Sequence, residues 1–230
     1  KAKKLLKHST EMQNEFLELG NRIPILKIGI PPMFSTIFFP EVINAFELHH
    51  PDIQIELDEF GSVRACNLVQ EEKLGLAIVN MEQFNIDKFE SRVLAKEQLV
   101  YVVSKNHPMS GKKYMTIEDF KDEKLVMFNV DSVQNELLKN RFDGLNISPH
   151  IIMRSSQLYT TLKFVDKGNC GCFLFSDMLP HFREYVGIPL KPSIDVKIGI
   201  IWKKEKFLSH SAQLFIDFAM QYCSEKIITP

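Results

Sequence analysis

Hydroxyl side chains stand near the start of three predicted helices, each of which follows a predicted strand. They belong to Ser35 and Thr36, to Ser62, and to Ser155 with Ser156. The first turn of a helix exposes unpaired backbone N–H groups, and the helix dipole favours negative charge there. In an α/β sheet, the carboxyl ends of the strands open onto the crevice where small ligands bind. The pattern therefore predicts a site for a small anion, and a carboxylate fits it best.

Two arginines lie close in sequence to these serines and could form paired hydrogen bonds with a carboxylate. The full set of predicted ligand contacts is Met33, Phe34, Ser35, Thr36, Gly61, Ser62 and Arg64 from the first part of the chain, with Asn129, Arg154, Ser155 and Ser156 from the later part. A plain helix cap is the commoner role for a serine or threonine at such positions, and a surface ion pair is at least as common for an arginine. Both interpretations stay open at this stage.

The elements that must position these residues begin with a strand–helix–strand unit in residues 26–57. An alternating apolar strand comes first, and Pro31 and Pro32 end it because proline has no backbone N–H. A helix follows, with Ser35 or Thr36 as its predicted cap, and a second alternating strand completes the unit. We expect a right-handed parallel crossover, which turns the helix N-terminus toward the ligand crevice.

Strands and helices continue to alternate along the rest of the chain, which predicts an α/β fold. The predicted strands are 75–79, 99–103, 125–128, 151–154, 172–175 and 196–202, and the predicted helices are 62–74, 131–142, 155–168 and 209–222.

The composition excludes several classes of protein. The 230 residues carry a formal net charge of -1, so no global field favours nucleic acid or an anionic membrane. No apolar run approaches the roughly 18 residues that a membrane-spanning helix needs, and the first residues lack the apolar run of a secretory signal. We expect a cytoplasmic protein with no membrane association, and we expect this chain alone not to bind DNA.

Four cysteines are too few for a disulfide scaffold, so reduced and mostly buried thiols are expected. The spacing of Cys170 and Cys172 fits neither a redox CxxC pair nor a zinc site, although a redox role for them stays an alternative. The histidines form no pair with the spacing of metal ligands. We therefore expect no metal and no cofactor.

The first twenty residues predict an amphipathic helix. Leu5, Met12 and Leu19 recur every seven residues, as in a short coiled coil. A helix that packs on its own domain is the equal alternative.

Several stretches, taken in order, resemble the effector-binding domain of LysR-type transcriptional regulators. The resemblance covers residues 1–224 and includes the opening run LKIGIPPMFSTIFFPEVINAFELHHPDI, the segments 61–78, 99–109 and 162–168, and the late tryptophan strand and aromatic helix at 200–222. The chain departs from the family at Gly75, where Asp is usual, and at Pro32 and Met33, where polar residues are common. The first ligand loop therefore offers fewer hydrogen bonds than in some relatives.

The resemblance implies a periplasmic-binding-protein-like fold of type II, in which two Rossmann-like subdomains are joined by two crossover strands. Residues 23–102 and 203–230 would form subdomain I, residues 103–202 subdomain II, and residues 1–22 a linker helix. A small-molecule effector would bind between the subdomains. DNA would be bound by a helix-turn-helix upstream of this chain, in a homodimer or homotetramer.

Two other classes compete with this interpretation. An extracytoplasmic solute-binding protein of a transporter shares the fold, but it normally begins near its first strand. An enzyme would need a nucleophile with a base, paired carboxylates or a phosphate loop, and the sequence offers none of these patterns.

Overall fold

The computed structural model describes residues 24–36, 38–82, 86–130 and 132–228, together with Ser9, Met12, Gln13 and Phe16. The predicted linker helix at 1–22 thus falls almost entirely outside the described residues. Within that segment, the described residues Ser9, Met12, Gln13 and Phe16 are helical.

The described chain alternates strands with helices. The strands are β1 (Ile25–Ile30), β2 (Gln54–Glu59), β3 (Leu76–Asn80), β4 (Phe89–Ser104), β5 (Lys124–Met127), β6 (His150–Arg154), β7 (Cys172–Phe175), β8 (Tyr185–Pro189) and β9 (Asp195–Lys203). The α-helices are α1 (Pro32–Thr36), α2 (Phe38–His49), α3 (Ser62–Gln70), α4 (Val133–Gly144), α5 (Leu158–Lys167) and α6 (His210–Ile228). Short 3₁₀ turns occupy Ile86–Lys88, Pro108–Gly111, Ile117–Phe120 and Ser176–His181.

One sheet runs in the order β2-β1-β3-β9-β4 through the first part of the molecule. The β1–β2 and β1–β3 pairs are parallel, as the predicted crossover requires, and β9 is antiparallel to both β3 and β4. Helices α2 and α6 pack together through Phe46, whose ring lies 5.2 Å from that of Phe215 and 5.4 Å from that of Phe218.

The long strand β4 changes partners along its length. Residues 89–98 pair with β9, whereas residues 99–104 pair with β7 and β8. Strand β5 pairs with β6 and is bridged to Gly171 just before β7, so these strands form a second sheet region. We name residues 24–98 and 195–228 the first lobe and residues 99–194 the second lobe. The predicted subdomain boundaries after residues 102 and 202 stay a prediction. The pairing partners of β4 change at residue 99, a few residues before the first of these boundaries.

Three predicted helix caps are wrong. Helix α1 already begins at Pro32, a residue whose fixed φ suits a first helical turn, so Ser35 and Thr36 lie inside that helix. Helix α3 begins at Ser62 with Gly61 as its N-cap, and no side chain caps it. The N-cap of α5 is Gln157 rather than Ser155 or Ser156. Helix α4, predicted from residue 131, begins at Val133 with Ser132 as its N-cap, and the Ser132 side chain accepts a hydrogen bond from the N–H of Asn135.

The core of both lobes is apolar and includes the cysteines. Cys66, Cys170, Cys172 and Cys223 are all buried and free of disulfides, as expected. Burial raises the pKa of the Cys66 thiol to about 12, and it also raises the pKa of Cys170 and Cys172. Thiols held protonated in this way are poor nucleophiles, which argues against the redox alternative. Within the described residues, no helix is long and apolar enough to cross a membrane, and no group of side chains is suited to a metal ion.

Candidate functional site

A cleft of about 210 Å³ lies between the two lobes. Its walls are formed where strands end and helices begin, because the loops after β1, β2 and β5 all open onto it. The lining residues are Pro31, Pro32, Met33, Glu59, Phe60, Gly61, Ser62 and Arg64 from the first lobe, with Phe128, Asn129, Ser132, Gln134 and Ser156 from the second.

The loop from β1 into α1 supplies a mainly apolar part of the first wall. Pro31 and Met33 are buried, and Pro32 is half-buried. The carbonyl of Pro31 accepts hydrogen bonds from the N–H groups of Phe34 and Ser35, so these two donors are used within the short helix. This part of the cleft can make van der Waals contacts with a ligand, but it offers few hydrogen bonds.

The turn from β2 into α3 supplies both charged groups of the lining. Glu59 is the last residue of β2, and Arg64 stands in the first turn of α3 with its guanidinium 4.8 Å from the centre of the Phe60 ring. The buried Ser62 hydroxyl accepts a hydrogen bond of 3.1 Å from the N–H of Asn80, which fixes the turn against β3. The first N–H groups of α3 have no acceptor within the helix and face the cleft with Gly61 and Ser62.

The second wall is polar but uncharged. Ser132 caps α4, and the hydrogen bond from the Asn135 N–H to its hydroxyl is 3.1 Å long. Gln134, in the first turn of α4, is 5% exposed, and within the described part of the chain its side chain has no hydrogen-bond partner. Asn129 and Ser156 are exposed at the mouth. The Gln134 amide can both donate and accept hydrogen bonds, so Gln134 is suited to ligand contact.

The arrangement as a whole can hold a small anion. The N-termini of α3 and α4 open onto the same space from opposite lobes, and each contributes unpaired N–H groups and the positive end of its dipole. Arg64 adds a full positive charge with several donors. These groups can bind and orient a ligand, and no described lining residue is paired with a base as a nucleophile must be.

Six predicted ligand contacts line the cleft: Met33, Gly61, Ser62, Arg64, Asn129 and Ser156. The cleft thus draws on both lobes, as the sequence analysis expected. Whether these residues contact a ligand stays a prediction.

Five predicted contacts are not part of the lining, and each has another partner. Phe34 stacks on Phe175 at 5.1 Å, the Ser35 hydroxyl donates to Pro32 and Glu59, and the Thr36 hydroxyl donates to Pro32 at 2.9 Å. The prediction of a free backbone N–H at Ser35 is also wrong, since this N–H donates a hydrogen bond to the carbonyl of Pro31.

The remaining two lie in the second lobe. The Arg154 guanidinium donates to the side-chain carbonyl of Asn135 at 2.6 Å and to the backbone carbonyl of Phe128 at 3.4 Å. The Ser155 hydroxyl accepts a hydrogen bond of 3.0 Å from the N–H of Gln157. Both side chains organise the turns behind the wall, and a ligand role for them stays a prediction.

Seven lining residues were missed by the sequence analysis: Pro31, Pro32, Glu59, Phe60, Phe128, Ser132 and Gln134. A usable pattern existed for several of them, because the last residue of a parallel strand and the cap of the following helix both face the crevice. Glu59 ends β2 and Ser132 caps α4, so both fit this rule.

Comparison with known proteins agrees with this architecture. The family model of the LysR substrate binding domain matches residues 22–224. The chain belongs to this family. The predicted resemblance is therefore confirmed, and with it the mixed α/β fold of the periplasmic-binding-protein type.

Individual relatives are distant in sequence but alike in fold. The chain is 27% identical over 201 residues to the uncharacterized HTH-type transcriptional regulator YwbI of Bacillus subtilis, covering 86% of this chain and 66% of that protein. The effector binding domain of QuiR in complex with shikimate is 22% identical, with a TM-score of 0.76 and coverage of 89% of this chain and 99% of that one. The Synechocystis CcmR regulatory domain in complex with 2-PG is 18% identical, with a TM-score of 0.79 and coverage of 87% and 97%.

The chain thus spans about two thirds of the length of YwbI. The named relatives are transcriptional regulators rather than enzymes, and the comparisons do not favour the alternative of a transporter's solute-binding protein.

Proposed function

We propose that this LysR-type domain senses a small carboxylate that binds in the cleft between the lobes. The observation that carries the proposal is the convergence of two helix N-termini, Arg64 and the unpartnered Gln134 amide on one space of about 210 Å³. A carboxylate has the charge that Arg64 and the helix dipoles favour, and its oxygens can accept the N–H groups of both first turns.

The structural relatives support a small acid as the ligand class. Shikimate, the molecule bound to the QuiR domain, is a carboxylic acid, and the cleft described above has the size and donors to hold an acid of similar or smaller size. The proposal specifies that the ligand carries a carboxylate, and it names no particular acid.

The strand arrangement supports a hinge mechanism. Strands β4 and β9 pair with each other and connect the lobes, so a ligand that contacts both walls favours one angle between them. The ligand changes this angle only by binding one arrangement more tightly than the other.

We further propose that the chain belongs to a longer cytoplasmic regulator that binds DNA through an upstream segment and acts as a homo-oligomer. Exposed apolar side chains support self-association, since Leu48 on α2 is 83% exposed. Helices α2 and α6 already pack part of their apolar surface against each other within one chain, so only the rest is available to a second copy. Light scattering at tens of micromolar tests this part, and a monomer alone would contradict it.

The carboxylate proposal is tested by calorimetry with shikimate and a panel of smaller acids. Arg64→Ala and Gln134→Leu should each weaken binding about ten- to hundredfold, because each removes a group that bonds to a charged ligand. Arg92→Ala is the matched control, since Arg92 is an exposed arginine that lies over Trp202 at 5.7 Å and does not line the cleft. An acid whose affinity is the same in all three variants and the wild type would contradict the proposed site.

A further inference from the structure

Two opposite charges line the cleft without neutralising each other. The Glu59 carboxylate and the Arg64 guanidinium both face the same space, and within the described part of the chain neither forms an ion pair. They are the charged members of the described lining, because the wall from the second lobe contributes amides, hydroxyls and an aromatic ring.

Each charge is held in place by an uncharged partner. Glu59 accepts a hydrogen bond from the Ser35 hydroxyl, and Arg64 lies over the Phe60 ring. A carboxylate has room for about four hydrogen bonds, so Glu59 keeps acceptor capacity after bonding to Ser35. A ring face attracts the guanidinium without accepting ordinary hydrogen bonds from all of its five N–H groups. Both groups therefore keep bonding capacity for a ligand.

This pair of charges restricts which acid can bind. An acid bound to Arg64 and the helix N-termini brings its remaining atoms into a small space that also contains the Glu59 carboxylate. A second carboxylate on the ligand is repelled by Glu59, and a purely apolar remainder makes no bond with it. An ammonium group instead gains a charge-assisted hydrogen bond with Glu59.

We infer that the cleft selects a small amino acid, whose carboxylate bonds to Arg64 and the helix N-termini while its ammonium group bonds to Glu59. This inference rests on the proposed function and narrows its ligand class. Glu59 is then the residue that distinguishes amino acids from plain acids and diacids of the same length.

The experiment is calorimetry with two matched series. The first is γ-aminobutyrate, γ-hydroxybutyrate, butyrate and succinate, and the second is alanine, lactate and propionate. In the wild-type chain, the amino member of at least one series should bind about tenfold or more tightly than its plain acid, and succinate should bind more weakly than the amino acid. In Glu59→Gln this preference should fall to about twofold or less. The glutamine keeps a carbonyl acceptor, so binding of the hydroxy acid should change less than binding of the amino acid.

Glu56→Gln provides the matched control. Glu56 lies on the same strand, is exposed and pairs with Lys27 at 2.8 Å outside the cleft, so its loss should leave the preference unchanged. A thermal melt checks that both variants are folded.

The outcomes separate this inference from the function on which it rests. If plain acids bind in an Arg64-dependent manner but the amino preference is absent, or persists in Glu59→Gln, the inference is overturned and the proposed function stands. If no acid of the two series or shikimate binds the wild-type chain at about 10 mM, both are overturned.

Discussion

The two lobes treat polar groups in opposite ways. The first lobe exposes its charges to the cleft through Glu59 and Arg64, and the buried polar residues described in it, such as Ser62 and Asn80, are neutral. The second lobe presents an uncharged wall to the cleft but buries His107 and Glu123 in its interior. If the cleft binds an acid as proposed, the first lobe distinguishes ligands by charge and the second lobe supplies an uncharged surface.

A buried polar network lies inside the second lobe. The Tyr101 hydroxyl donates a hydrogen bond of 2.8 Å to Glu123, and His107 Nε2 lies 3.6 Å from the same carboxylate oxygen. His107 Nδ1 accepts a hydrogen bond of 3.2 Å from the N–H of Met109, so Nε2 is the ring nitrogen that faces Glu123. Burial, followed by the hydrogen bond to Glu123, raises the pKa of Tyr101 far above its usual value. A buried network of this kind is stable only in one geometry.

Strand β4, which runs through both lobes, provides the prediction with the largest expected effect. Glu97 lies on β4 beside the point where the strand changes partners, and one of its carboxylate oxygens is buried without a hydrogen bond. Burial, together with the nearby Asp177 carboxylate, raises the pKa of Glu97 to about 8. Although Glu97 belongs to the first lobe, it therefore resembles the buried Glu123 of the second lobe more than the exposed Glu59.

A pH series should expose this buried acid. Because the pKa of Glu97 rises from 4.5 to about 8 on folding, its contribution to stability is complete below about pH 4.5 and is lost as the pH rises to about 8. Glu97→Gln should remove that loss and be more stable than the wild type above pH 8 by about 2–4 kcal/mol in urea unfolding. Glu90→Gln, an exposed position on the same strand, is the control. Parallel pH curves for the wild type and Glu97→Gln would show that Glu97 is solvated like Glu59.

A glycine tests how firmly the second lobe is packed. A Cβ added at Gly171 would overlap the Tyr101 ring, and the backbone of Gly171 also bonds to Val126 at 2.9 Å and to Lys124 at 3.0 Å. Gly171→Ala should therefore displace the Tyr101–Glu123 pair and destabilise the fold by about 1–3 kcal/mol in urea unfolding. Gly144→Ala, in the same lobe, has open space around the added carbon and should change stability little. Equal stability of the two variants would mean that the network tolerates a shift, and the contrast between the lobes would weaken.

The order of elements could be predicted from the sequence because each has a clear local pattern. The apolar alternation of β1 and β2, the prolines after β1 and the amphipathic spacing of α2 and α6 agree with the structure. Two elements were missed: β8, and the first ten residues of β4 at 89–98. The latter carry many exposed charged residues, since one face of the strand meets solvent, and charge obscured the strand pattern.

The site was predicted in outline but not in its chemistry. Hydroxyl residues near helix starts identified the correct loops, and Ser62, Asn129 and Ser156 do line the cleft. The exact first residue of each helix decided which side chains line the cleft, and local sequence does not determine this to one residue. Gln134 was missed because no periodic pattern marks a single polar residue whose direction depends on tertiary packing. Glu59 could have been found from its place at the end of a parallel strand.

The smallest predicted effects concern the hydroxyls of Thr36, Ser155 and Ser156, which lie near the predicted helix starts. Thr36 and Ser155 were predicted to contact the ligand, yet in the structure they bond to Pro32 and to the N–H of Gln157, whereas Ser156 lines the cleft. Ser155→Ala should therefore lower stability by about 1 kcal/mol and leave the affinity for acids unchanged, since it removes a turn hydrogen bond. Thr36→Val should change affinity little for the same reason.

Ser156→Ala should weaken binding about two- to fivefold without changing the melting temperature, as expected for one neutral hydrogen bond at an exposed edge. Calorimetry and thermal melts on the three variants separate these roles. A tenfold loss of affinity in Thr36→Val or Ser155→Ala would restore the sequence-based assignment and place the charged ligand deeper against α1 and α5 than the cleft described here.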